Sequence, residues 1–351
     1  MLKDNENVPL PMLTSDGPDS TPGLQPFARD QMVACDKCLR TNPPTRVNCL
    51  YCGALLPLNE TTFNLQKPTL RRLEKWELGY NNLLVPPADP PGDLAESELA
   101  EAADVLKLSP ADFASIISTA MPLPLARTAT LEEASLVQRR LRDFGIETRI
   151  IADVELGVNE AGPMRVRAIE LDEAGFRVIQ TSESTSVRLD WSDLILIVVG
   201  RLISARVELK EQKTRAENRI LDSSKFFSDE AVVEFYAKNQ PGAFRVTANS
   251  FNFSSLGTRK GLLAGENMST LLELFRERAP LAVVDESYKS LRKVLEPVWS
   301  TEQQNESGGW RRERPGKYSI GSVNEKNNET QFMRYSLLRR YLLLEARSGL
   351  K

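Results

Sequence analysis

Cys35-Asp36-Lys37-Cys38, a ten-residue spacer, then Cys49-Leu50-Tyr51-Cys52-Gly53 decides how the N-terminal part of this chain folds. These four cysteines are the whole thiol inventory of 351 residues. Two knuckles of this spacing bring four sulfurs to the corners of a tetrahedron, each about 2.3 Å from one Zn²⁺. Apolar residues are thin nearby and Pro43-Pro44 sits in the spacer, so a metal rather than a hydrophobic core must organise this piece. Apparent binding energies of roughly 10–16 kcal/mol are typical of such sites. Four thiolates leave no coordination position open for water or substrate, which makes the expected role structural. Unrelated buried thiols and disulfide exchange are the competing readings; the pairing of two CxxC units argues against the second.

The module resembles the zinc-ribbon family through these same residues, and the resemblance implies that Cys35, Cys38, Cys49 and Cys52 hold one structural Zn²⁺ while Gly53 relaxes the second knuckle. Members of that family read nucleic acid, adapt proteins to one another or serve as structural caps. Lys37, Arg40 and Arg46 either offset the thiolate charge or meet phosphate, and Tyr51 is either a stacking platform or part of the module's packing.

Composition narrows the function. Lys+Arg number 45 against 48 Asp+Glu, a formal charge of −3, which argues against a surface built throughout for a polyanion. Histidine is absent, which removes the commonest general base and the Ser-His and Cys-His nucleophile pairs. The expectation is a non-enzyme. Met1-Leu2-Lys3-Asp4 leads into polar, Pro-rich sequence, no apolar run reaches about 18–20 residues, and paired CxxC knuckles suit a reducing compartment, so a cytoplasmic location without a membrane span is expected.

Working outward, residues 1–32 are polar and Pro-rich and are expected to be disordered. The ribbon occupies 33–58, and 59–93 reads as a linker ending in Val85-Pro86-Pro87-Ala88-Asp89-Pro90-Pro91-Gly92. Residues 94–160 hold a helical segment and then a βαβ unit. Ser109, Pro110 and Asp112 mark a helix start; Leu123-Leu125-Ala126 reads as a strand; Thr130 and Glu133 form a capping box; Gly145 ends that helix, and Ile146–Ile151 is the next strand. Residues 123–155 resemble small bacterial ferredoxin-like domains akin to nitrogen-regulatory signalling proteins, through Pro124–Ala134 followed by Leu141–Ile146. That likeness implies signalling rather than nucleotide hydrolysis.

Short β-branched segments follow at Val166–Leu171, Phe176–Thr181, Ser186–Leu189, Leu194–Val199 and Ala205–Lys210, with a turn at Asp172–Gly175. Such spacing suits a sheet or a small bent barrel. Leu189-Asp190-Trp191-Ser192-Asp193-Leu194 resembles the strand turn of bacterial pleckstrin-homology-like domains, so 164–300 is expected as a β-rich domain with flanking helices. It departs from that plan by running past one terminal helix into further elements. Helices are expected over Asp229–Tyr236 and Met268–Arg278, the latter capped by Asn267, with strands at Phe244–Thr247 and Phe251–Phe253. A flexible loop over 301–324 and a C-terminal helix over 325–351 complete a multidomain α+β chain.

Asp190, Asp193, Asp222, Asp229 and Glu230 read as turn and cap residues rather than an acidic active site, and Ser254–Gly261 reads as a solvated loop without the P-loop pattern. Trp310–Tyr318 mixes aromatic and basic residues as single-strand nucleic-acid surfaces do. Met333–Leu344 could cover a core, meet a partner or lie on an anionic membrane; the core reading leads. The sequence thus points to a zinc-binding adaptor or regulatory protein that meets other proteins. The alternative is a nucleic-acid-binding regulator acting through the ribbon and 310–318.

Overall fold

The computed structural model describes residues 32–44, 46, 48–54, 56–57, 70–73, 77–86, 95–158, 162–180, 186–213, 218–306 and 319–349, with the side chains of 208–224 and 303–325 outside that set. The disorder expected for 1–32, all but its last residue, the prolines beyond Pro86 and the Trp310–Tyr318 segment lie outside the described residues. The chain divides into two compact units, Met1–Gln66 and Lys67–Lys351.

In the first unit, β1 (Val33–Ala34) pairs antiparallel with β2 (Thr41–Asn42). Among the described residues its buried apolar set is Val33, Leu56, Cys35 and Cys49, two aliphatic side chains and two thiols. This is far too little apolar surface to hold a fold unaided.

The second unit is mixed α+β, and none of its sheets closes. Its smaller sheet has β3 (Tyr80–Leu84) at the centre, antiparallel both to β4 (Pro124–Thr128) and to β5 (Thr148–Ala152). The central strand therefore comes from inside the 59–93 stretch read as linker. Between β3 and β4 run α1 (Glu96–Val105) and α2 (Pro110–Ser118); between β4 and β5 runs α3 (Leu131–Asp143). This is a split βαβ unit. The start signals act as expected: Ser109 accepts from the Asp112 N–H at 3.1 Å, and Thr130 accepts from the Glu133 N–H at 3.2 Å. Glu133 also binds outward, its carboxylate accepting from the Leu70 N–H at 2.6 Å. Gly145 ends α3 at φ +72°, in the left-handed region that glycine enters without cost. A short α4 (Asp153–Leu156) follows β5.

The larger sheet begins with an antiparallel run of β6 (Met164–Leu171), β7 (Gly175–Gln180) and β8 (Ser186–Asp190). Next come two 20-residue strands, β9 (Leu194–Lys213) and β10 (Asn218–Ala237). The two strands expected at Leu194–Val199 and Ala205–Lys210 are one strand. β11 (Phe244–Thr247) pairs with β10 antiparallel and with β6 parallel, joining the two antiparallel runs. On the other side of β9 lie β12 (Val283–Asp285), parallel to its first residues, and β14 (Ser319–Asn327), antiparallel to its last; β13 (Glu302–Glu306) pairs with β14. Of the two forms expected, a sheet or a small bent barrel, the described strands make an open sheet; 302–306 and 319–324 are strand where a flexible loop was expected, and 325–327 continue β14 where the C-terminal helix was expected to begin. α5 (Ala264–Arg278), α6 (Tyr288–Leu295) and α7 (Glu329–Ser348) complete the body.

Three further expectations are corrected. Asp229–Tyr236 lies in β10, not in a helix. Val232 to Tyr236 are all buried, and a strand covered on both faces loses the alternation that marks strands in a sequence. Phe251–Phe253 leads into a 3₁₀ segment at Phe253–Arg259, and Asn267 lies inside α5 instead of capping it.

Two cores flank the large sheet. One gathers Phe176, Trp191, Phe235 and Phe275, with the Trp191 and Phe176 ring centroids 4.7 Å apart. The other unites Leu83, Leu125 and Ile151 of the small sheet with Leu196 and Val198 of β9 and with Phe332, Tyr335 and Leu338 of α7. Segments read as separate domains, 94–160 and 164–300, thus share one core. The described C-terminal helix covers that core, and no described helix is long and apolar enough to cross a membrane. Gly200 in β9 lets α7 approach: a Cβ there would lie 2.4 Å from Phe332 Cε2 and 3.1 Å from Tyr288 Cδ1.

Candidate metal centre

Each knuckle is built by the same two backbone hydrogen bonds. In the first, Cys35 N–H donates to Arg40 O at 3.0 Å and Leu39 N–H to Cys35 O at 2.8 Å. In the second, Cys49 N–H donates to Ala54 O at 2.7 Å and Gly53 N–H to Cys49 O at 3.0 Å. Both turns require a left-handed residue four places after the leading cysteine. The second supplies Gly53 at φ +70°, as expected, whereas the first uses Leu39 at φ +57°. An L-residue there carries a cost of about 1–2 kcal/mol. Leu39 is also 80% exposed, so apolar burial does not offset that cost.

The two turns face each other and bring all four predicted ligands together, every sulfur within 4.8 Å of every other. Cys35 Sγ lies 3.6 Å from Cys52 Sγ, and Cys38 Sγ 3.5 Å from Cys49 Sγ. All four are free thiols. Sulfurs bound at about 2.3 Å to one tetrahedral ion lie about 3.8 Å apart, so the donor set fits a four-thiolate Zn²⁺ site with little adjustment. Such an ion would be held by Cys35, Cys38, Cys49 and Cys52, and it would cross-link the knuckles.

The thiols are unequal. Burial opposes the Cys49 thiolate, but the amides of Tyr51 and Cys52, with Cys38 and Asn42, bring its pKa down to about 6. For Cys38, the Arg40 amide favours the thiolate, yet burial and the neighbouring cysteines push its pKa up to about 12. One negative sulfur thus suppresses the ionisation of the next. Only a bound cation lets four thiolates share this volume.

Asn42 was not singled out by sequence reasoning. Fully buried, it donates from Nδ2 to Arg40 O at 2.9 Å and to Cys49 Sγ at 3.5 Å, while its Oδ1 accepts from Leu50 N–H at 2.8 Å. The Tyr51 N–H adds a second donor to Cys49 Sγ at 3.4 Å. Its one signal in the sequence is an amide side chain in an otherwise metal-dependent spacer. At the surface of the module Lys37, Arg40 and Arg46 are exposed, and the Arg40 guanidinium stacks 4.7 Å from the Tyr51 ring centroid.

Elsewhere, Asp190, Asp193, Asp229 and Glu230 form no ion-sharing group, and the Asp222 side chain lies outside the described set. Asp229 pairs with Arg201 at 2.6 Å, and Glu230 accepts from the Asn249 N–H at 2.6 Å. Both lie in β10, not at a helix start. Among the described residues the four cysteines are the only group of three or more Cys, Asp or Glu side chains placed to share an ion. Most of Ser254–Gly261 belongs to the 3₁₀ segment Phe253–Arg259, whose preceding residue Asn252 caps it by accepting from the Ser254 N–H at 3.0 Å. The buried charges of the second unit were missed as well. Asp153 is paired with Arg127 and Arg334, and Glu234 with Arg245. Comparison with protein-family models, curated proteins and solved structures returned no match.

Proposed function

We propose that this chain is a non-catalytic adaptor or regulatory protein of the cytoplasm, in which a Zn²⁺-held ribbon presents a small surface to a protein partner and the second unit serves as the body. The observation that carries this reading is the four-thiol cluster beneath exposed apolar side chains: Leu39, Leu50 and Tyr51 all lie on the knuckles and are all exposed. A closed tetrathiolate leaves nothing for chemistry at the ion. Exposed aromatic and aliphatic groups on a rigid turn suit protein contact. The split βαβ of the body supports kinship with ferredoxin-like signalling domains, and the β6–β8 run with buried Trp191 supports the likeness to pleckstrin-homology-like domains.

The stacked Arg40–Tyr51 pair, on a module that also exposes Lys37, favours one second reading, a nucleic-acid contact made by the same knuckles. Affinity capture from native cells with and without nuclease, using the intact chain and its Cys38→Ser variant, tests both. Protein capture that survives nuclease and is lost in the variant supports the adaptor. Capture abolished by nuclease supports the second reading. Elemental analysis of the purified chain should find about one zinc per molecule, and a folded, reduced chain carrying no metal would remove the basis of both.

A further inference from the structure

We infer that Asn42 is a positioning residue of the metal centre: it locks one knuckle onto the other and serves as a donor to the Cys49 thiolate. The inference rests on the metal reading above and concerns a residue that is not itself a ligand. Each knuckle closes on its own through its pair of backbone bonds, so those bonds do not fix one knuckle against the other. The Asn42 side chain does. Its Nδ2 reaches Arg40 O of the first knuckle at 2.9 Å and Cys49 Sγ of the second at 3.5 Å, while Oδ1 holds Leu50 N–H at 2.8 Å. Acceptor and donor groups of one buried amide therefore span the site, and both its polar atoms are partnered.

The bond to sulfur has a chemical consequence. A tetrathiolate around Zn²⁺ carries a formal charge near −2, and each N–H donated to a sulfur stabilises the ionised form. Cys49 receives two such donors, Asn42 Nδ2 and Tyr51 N. The backbone donor survives any substitution at Tyr51 except proline. The side-chain donor depends wholly on position 42. Outer-shell partners of this kind change metal affinity by about 10- to 100-fold.

The test uses the full chain with Co²⁺ as the probe, comparing wild type with Asn42→Ala and Asn42→Asp. The aspartate variant keeps the acceptor for Leu50 N–H and removes both donors. Apparent Co²⁺ and Zn²⁺ affinities should fall about 10- to 100-fold in both variants. The sulfur-to-cobalt charge-transfer band should move to lower energy, because a thiolate without its N–H donor gives up an electron more readily. Bands are read at saturating Co²⁺, where a weakened module is still metal-loaded. Affinity within about twofold of wild type would overturn the inference, as would weakened binding with an unmoved band, which is the result for a residue that only packs. A wild-type chain that gave no tetrahedral Co²⁺ spectrum would overturn the metal centre itself.

Discussion

Asp153→Ala should be among the most damaging single substitutions in the second unit. The carboxylate is fully buried, and each oxygen is saturated. Oδ1 accepts from Asn81 Nδ2 at 2.9 Å and Arg334 Nη1 at 2.5 Å; Oδ2 accepts from Gly79 N at 2.9 Å and from Arg127 Nε and Nη2 at 3.2 and 2.8 Å. Removing it strands two guanidinium groups in the interior. Burial lowers the Arg334 pKa from its ordinary value against the pull of Asp153, but a guanidinium starts so high that it stays charged at neutral pH. Breaking a buried pair in this way costs about 3–5 kcal/mol. Arg127 retains the Glu77 carbonyl at 2.5 Å, so the loss should stay within that range and not double. At about 2 °C per kcal/mol for a body of this size, Tm should fall by about 6–10 °C. Trp299 donates to Asn81 Oδ1 at 2.9 Å, one bond from the carboxylate, so its fluorescence should follow the same transition in heat and urea. The acid limb gives an independent check. Burial would raise the Asp153 pKa, but Arg334 and Arg127, with hydrogen bonds from Asn81 and Arg127, hold it below the ordinary carboxylate value. A depressed folded pKa means the contribution is complete above the unfolded value of about 3.9 and is lost as pH falls through the folded one. Asp153→Asn should therefore lower stability at pH 7 and flatten its loss below about pH 4. A change within about 1 kcal/mol for Asp153→Ala at pH 7 would refute the reasoning.

Leu39→Gly should relieve the left-handed strain of the first knuckle; against the extra chain entropy of glycine, the net gain is up to about 1 kcal/mol. Because metal binding and folding are one process in such modules, apparent Zn²⁺ affinity should rise by up to about fivefold in chelator competition. Cys38→Ser should abolish metal uptake and make the first unit protease-sensitive, while the melt of Lys67–Lys351, a separate compact unit, should not move. Gly200→Ala should cost about 1–3 kcal/mol by overpacking, since its Cβ would sit 2.4 Å from Phe332 Cε2, and urea unfolding would measure it.

The four-cysteine cluster was legible because paired CxxC spacing brings thiols to one point, and the α3 helix because its cap, apolar face and Gly145 stop all agree. The centre of the small sheet was not. Tyr80-Asn81-Asn82 places two amides at buried strand positions, where sequence patterns expect apolar groups. Their partners are tertiary: Asn81 binds Asp153 and Trp299, and Asn82 Nδ2 donates to the Ala134 carbonyl at 2.9 Å, while Asn82 Oδ1 is buried without a hydrogen-bond partner among the described residues. A residue whose partner lies 218 positions away leaves no local trace. The acids of β10 misled for a related reason. Asp229 and Glu230 before the mostly apolar Ala231–Ala237, interrupted only by Glu234, look like a helix start, although they lie in a strand whose following residues are covered on both faces.

The same long-range logic operates where the regions on either side of Met164 share a core. Read alone, Gln331, Arg334, Tyr335, Ser336 and Arg339 look like the solvated side of an amphipathic helix. Each instead has a specific polar partner. Gln331 binds Tyr288 and the Trp299 carbonyl, Arg334 binds Asp153 of the small-sheet region, Tyr335 and Arg339 bind Asp285 of β12, and Ser336 meets Tyr236 of β10. The apolar side of α7 joins the core shared by both sheets. One helix at the end of the chain thus carries hydrogen bonds and ion pairs to both sheets. Cooperative unfolding of Lys67–Lys351 follows from that placement, because neither sheet can open without exposing a charge that α7 neutralises or accompanies.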